Sequence, residues 1–233
     1  MKLEADLHVH TVASGHAFST VDEIVKVART KGLSAVALTD HGPALPGGAH
    51  AYHFWNQRVL PSEVDGVRLL KGAEANILSA RGDIDLEQDV LETLDLVMVA
   101  FHFDCGYEGA DVQTNTEALV RALASPFVDG VAHPGNPRFP VDPRGLVEGA
   151  REHGVFIELN NSSFTDSTSR KGSYQYDLEI MKLANQEGID IIISSDAHLA
   201  SQVGDFEEAI RVASEAGIAE ERIHFVGNVM IDS

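Results

Sequence analysis

The 233-residue chain contains one cysteine, Cys105, so it can form no internal disulfide. A reducing compartment, the cytoplasm, is therefore expected, and Cys105 reads as a buried, inert thiol. No apolar run approaches the roughly 20 residues that a membrane span requires. No basic and apolar leader precedes the first strand, so no signal peptide is expected. Basic side chains are scarce: 17 Lys and Arg stand against 36 Asp and Glu, a formal charge of -19. Nucleic acid and anionic membranes need clustered cations, so neither is expected as a partner. A small anionic substrate is not excluded, because bound divalent cations reverse the sign locally. No linker, low-complexity tract or composition shift divides the chain, and one domain over residues 1–233 is expected. Self-association is left open.

What the chain does have is alternation of apolar strands and amphipathic helices. Lys2–His8 alternates as a strand. Thr20 to Glu23 fits a capping box, with apolar positions at helical spacing up to Gly32. Ser34–Thr39 is a buried strand, 42–65 a long loop with one helix, and Val67–Ile77 a further strand. A short helix is expected over Leu86–Thr93, a strand over Asp95–Ala100, and a helix capped at Thr114. A strand over Val128–Ala132 precedes a helix capped by Asp142 and Pro143 and closed by Gly154. Then come a strand over Val155–Leu159, a helix over Tyr174–Glu187, a strand over Ile189–Ile193, a helix ending at Gly217 and a strand over 222–226. Four helices stop at glycine (32, 154, 188 and 217), the residue best able to take the left-handed cap conformation. Alternating β and α units imply a parallel sheet, and seven or eight of them in this length predict a closed barrel.

In such a barrel the C-terminal strand ends share one face, where active sites are built. The first strand ends in His8 and His10, which point the same way, with His16 in the following loop. Later strands end in His41, Glu74, His102, His133 and Asn160, and the last of the seven in Asp196 and His198. Seven of the chain's eleven histidines, with Glu74 and Asp196, fall at these positions. A lone histidine after a strand is usually a hydrogen-bonding loop residue. Nine metal-ligating side chains at one rim point instead to a site for several cations.

His8-Val-His10, Thr39-Asp40-His41, Gly72-Ala-Glu74, His102, His133-Pro-Gly135 and Ser195-Asp196-Ala-His198 resemble the motifs of the PHP (polymerase and histidinol phosphatase) superfamily. Gly15-His16, Asn160-Asn-Ser-Ser163 and Ser169-Arg-Lys-Gly-Ser173 resemble its YcdX-type phosphatases. The resemblance spans essentially the whole chain. It implies a distorted (β/α)7 barrel of α/β class with three divalent metal ions, zinc or manganese and sometimes iron. It also implies that His8, His10, Glu74 and Asp196 hold one ion, and that Glu74 bridges to a second held by His102 and His133. His16, His41 and His198 would hold the third. One departure is that the chain ends soon after Val226, where a further helix is implied.

Phosphate-ester hydrolysis suits these residues. Two cations roughly 3.5–4 Å apart can share a hydroxide and place it in line with phosphorus, and a third adds charge against the phosphoryl oxygens. Asp40 is expected to orient an imidazole, and Arg138 and Arg170, with Lys171, to clamp phosphate from their loops. His50, His53 and Trp55 could line the mouth or form a packed loop cluster, whereas His153 and His224 are not site candidates. The expected partner is a small phosphorylated substrate. An amidohydrolase-type hydrolase, which usually carries a modified lysine where this chain has His102, stands as an alternative. A phosphodiesterase and a non-catalytic interaction module are the others.

Overall fold

The computed structural model describes residues 3–220; the strand expected over 222–226, with His224, lies outside the described residues. The elements follow in order: β1 (Ala5–Val9), α1 (Val21–Lys31), β2 (Ala35–Leu38), α2 (Ala51–Asn56), β3 (Glu63–Val64), β4 (Val67–Asn76), α3 (Gln88–Leu91), β5 (Leu96–Ala100), α4 (Val112–Leu123), β6 (Gly130–Val131), α5 (Pro143–His153), β7 (Phe156–Asn160), α6 (Ser173–Glu187), β8 (Ile191–Ser194) and α7 (Glu207–Glu215). Seven strands pair in parallel in the order β1-β2-β4-β5-β6-β7-β8, and β3 adds an antiparallel pair to β4. The two edges meet at a single parallel bridge, Val9 to Ala197, where His10 N–H donates to the Ala197 carbonyl at 2.9 Å. The sheet thus nearly closes into the expected barrel. Among the described residues no helix is long and apolar enough to cross a membrane.

The seven parallel strands are largely buried on both faces, as a parallel sheet flanked by helices requires. Ala5, Leu7, Ala35, Ala37, Leu70, Leu96, Met98, Ala132, Phe156 and Ile192 form one cluster drawn only from strands and their ends. It fills the barrel. Their alternates, including Val36, Leu69, Val97, Val99, Ile157 and Ile191, join the helix residues Ile24, Leu119, Leu146 and Met181 in a second, outer core.

Helix boundaries follow local chemistry. The Thr20 hydroxyl accepts from Glu23 N–H at 3.4 Å, Glu23 Oε2 accepts from Thr20 N–H at 2.8 Å, and Gly32 closes α1 at φ 76°. Asp142 caps α5 through Gly145 N–H at 2.8 Å. Two expectations need correction. The helix expected over 86–93 shrinks to the four residues of α3. The helix expected to start at Thr114 begins earlier, because Asp111 is the cap and accepts from Thr114 N–H at 3.1 Å. That start lets Asn115 turn inward, where it donates to the Ala110 and Pro140 carbonyls.

Asp177 of α6 is buried beneath the loop that follows β6, and its Oδ1 has no hydrogen-bond partner. Burial pushes its pKa up to about 7, against the pull of Arg170. In the unfolded chain the carboxyl ionises near 3.8. Between those values the folded state holds a proton that the unfolded state has lost, so stability falls as pH rises through this window and then levels.

Asp111→Ala is expected to cost about 1 kcal/mol by chemical denaturation, and Thr114→Ala to stay within about 0.5 kcal/mol. The reverse order would move the cap to Thr114. Asp177→Asn is expected to raise Tm relative to the parent protein more at pH 8 than at pH 4.5. An equal difference at both values would contradict the raised pKa.

Candidate metal centre

Inward-facing positions change character along each strand, and the change builds the site. On β4 the inner row runs Leu70, Gly72, Glu74, Asn76; on β5 it runs Leu96, Met98, Ala100 and then His102 just beyond the strand. On β7 it runs Phe156, Glu158, Asn160, and on β8 Ile192, Ser194 and then Asp196. The period of two is that of any strand, so the apolar barrel floor passes directly into a polar layer at the C-terminal face. His8 and His10 join that layer through a register irregularity in β1 between Asp6 and Val9.

Glu74 is the hub, with no solvent exposure. Its Oε1 lies 2.6 Å from His133 Nε2 and 3.3 Å from His102 Nε2. Its Oε2 lies 2.7 Å from His41 Nδ1, 3.4 Å from His8 Nε2 and 3.7 Å from His10 Nε2. Asp196 Oδ1 lies 3.1 Å from His10 Nε2 and 3.6 Å from His8 Nε2. The rings of His10, His16 and His41 pack against that of His198 with centroids 4.3, 4.9 and 5.7 Å away. All nine side chains expected at one rim are therefore neighbours. Three groups converge closely enough to hold a cation: His8, His10 and Glu74; His41, Glu74 and His102; and His10, His41 and His198. His16, more exposed, approaches through its ring contacts only.

Several of these groups are poised for something other than one another. His8 Nε2, His10 Nδ1, His41 Nδ1 and Glu74 Oε2 are buried without a hydrogen-bond partner. His41 Nδ1 and Glu74 Oε2 are close in distance but off the line that a hydrogen bond needs. His8 Nε2 and His41 Nδ1 both face Glu74 Oε2, at 3.4 and 2.7 Å; such buried lone pairs suit divalent cations, and imidazole with carboxylate suits zinc, manganese or iron.

Outer partners fix which nitrogen three of the imidazoles offer. His8 Nδ1 lies 2.7 Å from Glu158 Oε1; an ionised carboxylate only accepts, so Nδ1 carries the proton and Nε2 faces the centre. Asn76 spends its amide hydrogens on Asp85 and the Gly42 carbonyl, so its Oδ1 accepts from His102 Nδ1 at 2.8 Å. His198 Nδ1 donates to the Asp196 carbonyl at 3.0 Å. Backbone strain is concentrated here as well: His133 and Asp196, at φ 32° and 55°, hold left-handed conformations that bulky residues avoid.

Charge coupling is strong. Burial alone would raise the pKa of Glu74, but His102, His41, His8 and His133 hold it well below the ordinary range. Burial opposes charge on His8, yet Glu158, Glu74 and Asp196 push its pKa well above normal. Burial, with His198 nearby, lowers that of His10 to about 4.

A mouth of about 570 Å³ opens over this layer, lined by His16, His102, Phe103, Ser167, Arg170 and Gln202 among others. Arg170 donates from Nη2 to Asp196 Oδ2 at 2.7 Å and Asn160 Oδ1 at 3.1 Å, and from Nε to Ser163 at 2.9 Å. Arg138 is exposed and stacks on Phe103 at 4.4 Å, outside the lining, and Lys171 is also exposed. Asp40 spends its oxygens on Thr11 N–H and on the Thr11 and Ser14 hydroxyls; the imidazole beside it is that of His53, at 3.2 Å. His50 caps α2, and Trp55 lies under Arg58, so both belong to the packed loop cluster. Glu158, Asn76 and Asp6 are the participants that strand-end positions do not reveal. The signal for Glu158 and Asn76 is a polar residue at inward parity in an otherwise apolar strand; Asp6, between the inward Ala5 and Leu7, has the opposite parity and carries no such signal.

The PHP domain model matches residues 6–125. A probable phosphatase of Thermoanaerobacter sp. (strain X514) is 45% identical over 96% of this chain and 90% of its own. A probable phosphatase of Clostridium novyi (strain NT) is 39% identical over the same shares. Among solved structures, histidinol phosphate phosphatase from Lactococcus lactis subsp. lactis, complexed with zinc, L-histidinol and phosphate, superposes with a TM-score of 0.68. It is 14% identical, over 93% of this chain and 94% of that one, a likeness of fold. By its family match over residues 6–125 and by relatives matched over 96% of its length, the chain belongs to the PHP domain family.

Proposed function

We propose that this protein is a metal-dependent phosphatase that hydrolyses small-molecule phosphomonoesters at a centre of three divalent cations, zinc or manganese, with iron also suited. The observation that carries this reading is Glu74, fully buried among five imidazoles, with Oε2 and facing ring nitrogens left without hydrogen bonds. His8, His10, Glu74 and Asp196 would hold one cation, Glu74, His102 and His133 a second, and His16, His41 and His198 a third. When bound, such cations activate water and offset charge on phosphoryl oxygens.

The chain's own residues supply orientation. Glu74 presents its two oxygens to different imidazoles, so one carboxylate serves adjacent positions. Arg170 anchors Asp196 through Nη2, while Nη1 makes none of these bonds and is the nearer candidate clamp for a phosphoryl oxygen. Arg138 would reach a substrate only from the outer rim. Ser167, Thr168, Ser169 and Gln202 line the mouth and would meet the leaving group. The relatives named probable phosphatases support phosphate-ester chemistry, and the zinc and phosphate bound by the Lactococcus enzyme support the choice of metal and substrate. Against an amide hydrolase stands His102, fixed by Asn76 at the position where a modified lysine would be needed.

Metal-loaded protein is expected to hydrolyse p-nitrophenyl phosphate, and chelated protein to lose that activity. Equal, negligible rates in both states would sink the assignment. Glu74→Ala is expected to lose bound metal and turnover together, beyond the roughly 10–100-fold typical of an outer-shell change. Normal metal content with normal turnover would refute the bridging role.

A further inference from the structure

We infer that Glu158 is the positioning residue that selects the metal-binding tautomer of His8 and, with the same carboxylate, sets the loop that carries His133. The inference rests on the metal-centre reading above. Glu158 lies on the inner face of β7, fully buried, one step below the polar layer that holds the proposed ligands. Its Oε1 accepts from His8 Nδ1 at 2.7 Å and from the Ser194 hydroxyl. Its Oε2 accepts from His133 N–H at 2.6 Å and from Asn160 Nδ2 at 3.1 Å. Four donors from four segments thus converge on one acceptor-only group.

Replacing the carboxylate by an amide makes the consequence specific. Glutamine has the same shape but only one acceptor oxygen, and its other terminus donates. At the Oε2 position the donors cannot reverse. His133 N–H is backbone, and Asn160 is locked because its Oδ1 already accepts from Ser163 N–H and Arg170. At the Oε1 position both partners can reverse, since the Ser194 hydroxyl rotates and an imidazole can move its proton. The amide oxygen of Glu158→Gln therefore settles on His133, and its NH2 group faces His8 Nδ1. His8 is driven to the tautomer with hydrogen on Nε2, the nitrogen that faces Glu74 and Asp196. A ring nitrogen that carries a hydrogen offers no lone pair to a cation.

The test uses the full chain. Zinc affinity, measured by competition with a chromophoric chelator, is expected to fall roughly 10–100-fold in Glu158→Gln. Ser194→Ala, which removes one donor and leaves the carboxylate intact, is expected to keep the parent affinity. In zinc-loaded parent protein, two-bond nitrogen–proton NMR correlations of His8 are expected to show hydrogen on Nδ1. In metal-free Glu158→Gln at pH 8 they are expected to show it on Nε2. Unchanged affinity in Glu158→Gln, an equal loss in Ser194→Ala, or hydrogen on Nε2 in the zinc-loaded parent would each overturn the inference, the last without depending on any variant. Failure of the parent protein to bind zinc, manganese or iron would instead overturn the metal-centre reading.

Discussion

A carboxylate removed from water needs compensating partners, and Glu74 is faced on both oxygens by imidazoles drawn from the ends of β1, β2, β5 and β6. An unpaired buried charge is expensive. The same interaction helps close the barrel. β1 and β8 share one backbone bridge, and the contacts of His8 and His10 with Asp196 join the two edges above it. In this fold the seam of the sheet and the floor of the candidate centre are one set of side chains.

Around that hub lies an outer set of carboxylates, each gripping backbone that carries a proposed ligand. Asp6 accepts from Ser195 N–H at 3.0 Å and Gly204 N–H at 2.8 Å, bracketing Asp196 and His198. Asp40 holds the loop of His16 through Thr11 and Ser14. Asp85 accepts from Asn76 and from Ala44 N–H, tying the loop after β2 to the support of His102. Glu158 grips His133. Left-handed backbone at His133 and Asp196 costs about 1–3 kcal/mol per residue, and these bonds explain how it is retained. The hydrogen bonds fix loops; the loops fix imidazoles.

The strand-end histidines were legible in the sequence because ligands at a barrel rim must follow strands, and apolar strands are easy to find. The gripping carboxylates were hidden by the same logic. Glu158 sits in Phe-Ile-Glu-Leu-Asn, where one charge looks like a tolerated exception to a buried run. Only its parity with Phe156 and Asn160 reveals that it points inward. Asp40 was legible as a supporting residue but not its partners, because Thr11 and Ser14 lie in a loop whose shape no periodicity encodes. The start of α4 was misplaced for a local reason: Asp111 and Thr114 are both good caps, and burial of Asn115 decides between them. The long 42–65 segment kept α2 and β3 indistinct because each is short and held by contacts from elsewhere.

Charge also orders events at this site. The chain carries a formal charge of -19, and near the hub Glu74, Asp196, Glu158 and Asp40 outnumber the one guanidinium, Arg170, that reaches them. His10 and His41, with pKa values pushed down by burial, add little positive charge at neutral pH, and His8, pushed up by Glu158, Glu74 and Asp196, adds one, so carboxylates still exceed cations. Before metal arrives, the layer attracts cations and repels phosphate. On the proposed reading, three divalent ions invert that field locally, so cation loading must precede anion binding. On that reading an acidic protein serves an anionic substrate without a basic surface, because ions held by histidine and carboxylate, with Arg170 beside them, would supply the positive charge.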